Sequence, residues 1–515
     1  MTLSVLSVAS EAVPFIKTGG LADVVGALPA AVAAHGARMT TLLPGYPAVL
    51  ARLAAQYPAA PPPANKPKAR GKAKIAADAP AGPPPIHHWA SLLGVPARLL
   101  AGTLDGTPDG PPLLVLDCPA LFVRDGGPYG DAAGCDWADN ARRFAAFARA
   151  AADIAGGAVA GLTFDLVHAH DWQAGLVPAY LRFAPYQGRH VPSIMTIHNM
   201  AFQGHYGADI FPALGLPLDA WSMHGVEYHG GVGFLKAGME AASAITTVSP
   251  TYAAEIRTPH YGMGLEGLIV SRGHRVRGIV NGIDTTEWNP EDDSAIAAHY
   301  TWRTLPKRAA NKRAIETEFG LDSDDGPLFI VVSRLTWQKG LDVLCECIDH
   351  LVGIGARLAV LGTGDAALVA ELGAGAARHP GRVAIRIGYD EALAHRMQAG
   401  GDAILIPSRF EPCGLTQLYG LAYGCVPVVA RTGGLADTVI DANIAAIGLG
   451  AATGVQFSGV TYAGLSQAIS RTVDLYHRPD TWRAMQKSGM KSDFSWSQSG
   501  ATYASLYNEL ITETL

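Results

Sequence analysis

Short apolar runs, each bounded by glycine, proline or a polar residue, recur along the chain. LSVLSVAS, FDLVHAH, PSIMTIHN and SAITTVS lie in the first half, and LFIVVSRL, RLAVLGTG, DAILIPS and VPVVART in the second. Many are continuous rather than alternating, the pattern of parallel strands covered on both faces. Between them lie stretches that read as helices, such as NARRFAAFARAAADIAGGAV and LTQLYGLAYG. Strands alternating with helices predict an α/β architecture with parallel sheets. The first series ends near AITTVSPTY and the second begins at GPLFIVVSRL. The turn-rich HRVRGIVNGIDTTEWNPEDD between them predicts the crossing between two domains. Two such domains facing across a cleft would bind a ligand at the carboxyl ends of their strands.

Against this pattern a nonamer recurs. KTGGLADVV occupies residues 17–25 and RTGGLADTV residues 431–439, with six identical residues in a row. A cation, a small hydroxyl and two glycines opening a helix offer charge and bare backbone N–H groups to an anion. Each copy is expected in a strand-to-helix loop of one domain, aimed at the shared cleft.

At 515 residues the chain exceeds one ordinary core. It is 49% hydrophobic and 16% charged, a globular balance, and its formal net charge of −6 argues against a general nucleic-acid binder. Six scattered cysteines (118, 135, 345, 347, 413 and 425) give neither a disulfide framework nor a zinc signature, which fits a reduced, cytoplasmic protein. The opening MTLSVLSVASEAVPF lacks a basic start and is interrupted by Glu11 and Pro14, so it reads as a first strand rather than a leader. No run of 18 apolar residues exists, so no membrane span is expected. Residues 57–85 break the pattern. They are rich in proline and alanine and carry five basic residues from Lys66 to Lys74, which reads as a solvated loop.

Three clusters could carry chemistry. SRLTWQKG places Arg334 and Lys339 after the strand LFIVV, where a cation pair suits a diphosphate leaving group. SRFEPCGLTQLYG places Glu411 after DAILIPS, followed by backbone exposed from Pro412 to Gly414 and a helix starting near Leu415. Glu411 could bond ligand hydroxyls or support positive charge near a reacting carbon; as a plain helix-start charge it would stabilise by roughly 0.3–1 kcal/mol. The third cluster joins VHAHDW, with His168, His170, Asp171 and Trp172, to TIHNMAFQG, with His198 and Asn199. Alternation puts His168 and His170 on one strand face, a third metal ligand is not evident, and a pocket that grips sugar hydroxyls fits better than zinc. LGTGDA lacks the full dinucleotide fingerprint and GGVGFLKAG lacks the Walker pattern, which disfavours an oxidoreductase. A non-catalytic glucan-binding protein would have no need of the phosphate cations.

In order along the chain, KTGGLADVVGALP, GGPYGDAAGCDWADNARRF, HAHDWQAGLVPAYL, TIHNMAFQG, FLKAGMEAASAITTVSPTYAAEI, VNGIDTTEWNP, SRLTWQKGLD and PSRFEPCGLTQLYGLAYG with VARTGGLADTV resemble the bacterial glycogen synthase and plant starch synthase family. FSWSQSGATYASLY resembles the family's closing segment; residues 57–85 are the departure. The resemblance implies a GT-B fold: two Rossmann-like domains with parallel sheets facing across a deep cleft, at about 1–275 and 276–490, with residues 491–515 crossing back to the first. It implies retaining transfer of glucose from ADP-glucose to the non-reducing end of an α-1,4-glucan, in the cytoplasm, without an obligatory metal, nucleic acid or membrane partner. By resemblance Lys17, Gly19 and Gly20 lie near the donor phosphates, Ser333, Arg334 and Lys339 at the diphosphate, and Tyr389 against adenine. Glu411 lies beside the donor sugar, and the backbone of Cys413, Gly414, Leu415 and Thr416 holds sugar and phosphate. His198 is near the reacting carbon, Asp171 and Asn199 line the acceptor side, Tyr129 falls in the acceptor motif, and Trp172 is expected to bind the acceptor with them. Domain closure is expected to assemble these groups. ADP over UDP rests on resemblance alone.

Overall fold

A computed structural model describes residues 2–57 and 82–514. Most of the proline-rich stretch, residues 58–81, lies outside the described residues. The chain forms two compact units: residues up to Thr247 with Ile256–Arg277 and Ser499–Leu515, and Val248–Glu255 with Gly278–Gln498.

The first unit holds β1 (Leu3–Val8), β2 (Ala37–Pro44), β3 (His87–Leu92), β4 (Val95–Thr103), β5 (Pro112–Asp117), β6 (Leu166–His170), β7 (Ser193–Ile197), β8 (Ala244–Thr247) and β9 (Val276–Gly278). They make one sheet in the order β9-β8-β7-β6-β1-β2-β5-β4-β3. From β8 through to β5 the neighbours run parallel. The hairpin β3-β4 is antiparallel and adds antiparallel to β5. It has no counterpart among the continuous apolar runs because only the last residue of β3, Leu92, is buried. Its tight turn at Leu93 and Gly94 uses positive φ at both residues.

The second unit is a six-stranded parallel sheet. Its strands are β10 (Leu328–Val332), β11 (Arg357–Gly362), β12 (Val383–Ile387), β13 (Ala403–Ile406), β14 (Val426–Ala430) and β15 (Val455–Phe457), in the order β12-β11-β10-β13-β14-β15. Period-two alternation explains its unbroken apolar runs. Phe329 and Val331 pack with Leu344 and Ile348 of the helix Leu341–Gly353 on one face. Leu328 and Ile330 pack with Leu393, Met397 and Leu418 on the other. Each such fully buried side chain contributes about 1.5–3 kcal/mol.

In the first sheet β6 lies on the opposite side of β1 from β2, and in the second β13 lies on the opposite side of β10 from β11, so each sheet has a switch point near its middle. Such switch points are where open α/β sheets bind ligands, because the loops there diverge to opposite faces. The motifs with Lys17, with Asp171, with Arg334 and Lys339, and with Glu411 follow these four strands, while His198 and Asn199 follow β7, Tyr389 follows β12 and the second nonamer follows β14.

Two segments depart from the expected boundaries. Residues 248–255, read as part of the first half, pack with the second unit: Ser249 Oγ donates to Pro412 O at 2.6 Å, and Thr251 Oγ1 to Asp437 at 2.6 Å. The C-terminal stretch joins the first unit from Ser499 onward, where Tyr507 Oη lies 2.9 Å from His168 Nδ1.

Candidate active site

In the second unit, β10 runs into Ser333 and Arg334, and Arg334 is exposed. The chain then turns through Trp337–Lys339 and Gly340, whose φ is 67°. A Cβ at Gly340 would lie 2.0 Å from Pro407 O, so only glycine lets this loop pack on the one after β13. That approach brings Lys339 Nζ onto the Glu411 carboxylate, which also accepts from Ser408 Oγ at 2.8 Å. Arg409 makes a forked pair with Asp342 at 2.7 and 2.6 Å and donates to Trp337 O, tying the two loops from below. The glycines of LGTGDA serve the same packing. A Cβ at Gly362 or Gly364 would sit about 2 Å from Ser333 O or Leu335 O.

The helix Thr416–Tyr423 opens beside Glu411, with Gly414 at φ +73° before it. Its first-turn N–H groups have no intrahelical acceptor and carry the positive end of the dipole. Gln417 Nε2 holds the entry by donating to Cys413 O and Gly414 O at 3.1 and 2.9 Å. The Cys413 thiol is buried and pushed up to about 12 by desolvation, so it stays protonated and non-nucleophilic at neutral pH. Tyr389, just past β12, is 75% exposed, an open aromatic face at a strand end.

In the first unit, β1 leads to Ser10 and Glu11, then to the loop carrying Lys17 and the helix Gly20–Ala33. Lys17 pairs with Asp23 at 2.8 Å. Nothing lies within 4 Å of where a Cβ on Gly19 or Gly20 would stand, so this loop faces open space. Beside it, β6 delivers His168 and His170 with rings stacked 4.2 Å apart, then Asp171 at φ +55°. Asp171 Oδ1 accepts the His198 N–H at 2.7 Å, and His198 Nε2 lies 3.1 Å from His170 Nδ1. Desolvation pushes Asp171 up to about 7 and both His168 and His198 down to about 3. The imidazoles are therefore neutral at working pH. His168, bonded to Tyr507 and Thr196, is a core histidine. Asn199 spends its carboxamide oxygen on the Ala201 N–H, leaving its NH2 group. Among the described residues no group of three or more His, Cys, Asp or Glu could hold a metal ion.

Trp172 needs correcting. It is buried, with its ring edge-on to Phe144 and tilted against Tyr206 and Phe234, and the neighbouring Gly204 is pressed against it. It packs beneath Asp171 instead of offering a face to a sugar. Two other residues went unread. Buried Glu11 accepts from Thr18 and from Tyr129. Buried Arg143 donates to Pro128 O and Leu121 O, and Asn140 to Tyr129 O, so the DNARRF end of the acceptor motif anchors its PYG end. The N-x-x-R spacing, one helical turn, was the available signal for the second.

Comparison with known proteins agrees with this fold. Residues 4–271 match the starch synthase catalytic domain and residues 313–477 the glycosyl transferases group 1. The class is thus a two-domain α/β glycosyltransferase of GT-B type. The chain is 69% identical to the glycogen synthase of Novosphingobium aromaticivorans over 514 residues, covering 100% of both, and 54% identical to that of Mesorhizobium japonicum over 99% of both. Among solved structures it is similar to the catalytic domain of starch synthase IV from Arabidopsis thaliana bound to ADP and acarbose, with a TM-score of 0.82 and 28% identity over 99% of this chain and 100% of that one. Sucrose-phosphate synthase from Thermosynechococcus elongatus (TM-score 0.57, 17% identity, 99% and 100% covered) shares the fold. The chain belongs to the glycogen and starch synthase family.

Proposed function

We infer that the protein elongates an α-1,4-glucan by transferring glucose from ADP-glucose to its non-reducing end, with retention of configuration. The observation that carries this reading is Lys339 and Ser408 converging on Glu411 beside a helix N-terminus at the sheet's switch point. The relation to a synthase solved with ADP supports ADP as the leaving group.

Departure of ADP builds charge on the β-phosphate and oxocarbenium character at glucose C1. Arg334, Lys339, Lys17 and the N–H groups of Gly414 to Thr416 stabilise the phosphate, and removing one such group costs on the order of 10²–10³ in rate. Glu411 meets the glucose hydroxyls, and Tyr389 lies against the adenine. On the first unit His198, Asp171, Asn199 and Tyr129 receive the acceptor. Retention through a covalent intermediate needs a carboxylate on the far sugar face. Glu411 is already committed to Lys339 and Ser408, which suits binding better than attack. The acceptor therefore attacks on the face ADP leaves, and the departing phosphate takes its proton. A glycosyl-enzyme trapped on any side chain would overturn that route. The cations supply the charge a metal would otherwise bring, so a chelator is expected to leave the rate unchanged. The family resemblance puts the site of action in the cytoplasm; no described helix is long and apolar enough to cross a membrane.

The test is ADP release from ADP-glucose with glycogen present, against UDP-glucose, for the wild type and Glu411→Ala. A glycogen-dependent ADP signal that collapses in the variant supports the reading. Turnover of UDP-glucose alone overturns the donor, and turnover of neither overturns the reaction.

A further inference from the structure

Glu11 is 2% exposed and stands between two loops that the sequence assigns to different ligands. Its Oε1 accepts Thr18 Oγ1–H at 2.6 Å and also the Tyr129 hydroxyl, while its Oε2 accepts the Thr18 N–H. Ser10 Oγ lies 2.8 Å from the same Tyr129 oxygen. Lys17, the nearest cation in sequence, is paired with Asp23 instead. Three donors thus converge on one buried carboxylate, two from the Lys17–Gly20 loop and one from the acceptor motif. Tyr129 is fixed from its other side as well, because Asn140 Nδ2 donates to its carbonyl at 2.8 Å. A Cβ on Gly19 or Gly20 would meet nothing within 4 Å, and Glu11 holds Thr18, at the middle of that loop, by both its backbone and its side chain.

A buried carboxylate that loses one donor leans harder on the rest, since an unsatisfied charged group is costly where water is excluded. A ligand that orders one loop also fixes the shared carboxylate where the other loop's donor meets it, so the second ligand has less left to order. We propose that Glu11 is a positioning residue that couples the Lys17 loop to Tyr129, so that an anionic phosphate at the first and a glucan at the second favour each other's binding. This rests on the reading above, in which Lys17 meets the donor phosphate and Tyr129 the glucan. Glu11 touches neither substrate and acts through the two side chains it holds.

The experiment is calorimetric titration of the full chain with ADP, with and without saturating maltohexaose. In the wild type the glucan is expected to tighten ADP about fivefold or more, the lower end of ordinary coupling. In Glu11→Gln, where the amide NH2 opposes one of the converging donors, the tightening falls below about twofold while each ligand still binds alone. Thr18 is exposed, so Thr18→Val keeps the fold if Glu11→Gln does not. It is expected to lose the same coupling and to raise the KM for glucan, a ligand it never meets; loss of folding alone would not do this. Undiminished coupling in Thr18→Val, or no coupling in the wild type, overturns the proposal while leaving the transferase reading intact. Absence of glucan-dependent ADP release by the wild type overturns that reading instead.

Discussion

The two copies of TGGLAD differ in what their glycines face. At residues 432–437 a Cβ on Gly433 would stand 1.9 Å from Glu411 O, and one on Gly434 2.1 Å from Cys413 O. Gly434 N–H donates to Glu411 O at 3.1 Å. This copy is a spacer that lets β14 press its loop against the Glu411–Cys413 backbone. At residues 18–23 the same two glycines face nothing, and the helix they open runs 14 residues against six for the other. The shared part is the hydroxyl. Thr18 Oγ1 donates to Glu11, and Thr432 Oγ1 donates to Glu255 at 2.9 Å. One hexapeptide therefore builds the same pinned turn twice, and its glycines face open space in one place and backbone in the other. Both copies do stand in strand-to-helix loops, after β1 and after β14, and it is Lys17 of the first that the family resemblance sets near the donor phosphates. Arg431 is exposed and lines a cavity of about 260 Å³ with Asp441, Asn443, Gln456 and Ser458.

Gly433→Ala breaks the comparison hardest. Its φ of +43° and the backbone contact leave a side chain no room, so a loss of about 3 kcal/mol is expected in denaturant melts, with activity falling alongside. A smaller effect concerns the cluster beside the first copy. His168 and His198, held near 3 when folded, bind protons more readily when unfolded, so stability present above about pH 6.5 is lost as pH falls toward 3. Asp171, raised to about 7, acts oppositely: its contribution favours the fold below about pH 4 and is lost as pH rises to 7. Urea melts from pH 4 to 8 are expected to show a steeper rise in stability with pH in Asp171→Asn than in the wild type. Smallest is Gly20→Ala, where a methyl in open space at a helix start is expected to raise stability by about 0.5–1 kcal/mol, while kcat/KM for ADP-glucose falls because that space belongs to the ligand.

Much of this was legible in sequence because both sheets are built from continuous apolar runs and the reactive residues sit one loop beyond them. Arg334, Lys339 and Glu411 could be placed at strand ends from spacing alone. Glu11 could not, since its meaning lies in Tyr129, 118 positions away. Trp172 was misread because a tryptophan after an aspartate looks the same whether its ring is open or covered, and only Phe144, Tyr206 and Phe234 decide it. Residues 248–255 were assigned by order along the chain, whereas Ser249, Thr251 and Glu255 spend their hydrogen bonds on Pro412, Asp437 and Thr432. The choice of His198 over His170 came from family resemblance, and their mutual hydrogen bond shows why spacing could not separate them.

The most direct test of the division between the two copies is kcat/KM for ADP-glucose, with glycogen saturating, in Lys17→Ala and Arg431→Ala. The Lys17–Asp23 pair is solvent-accessible and worth at most about 1 kcal/mol to folding, so both variants should melt like the wild type. Lys17→Ala is predicted to lose about 10²–10³-fold in kcat/KM and Arg431→Ala less than about threefold. Equal losses in the two, or a larger loss at Arg431, would contradict the account.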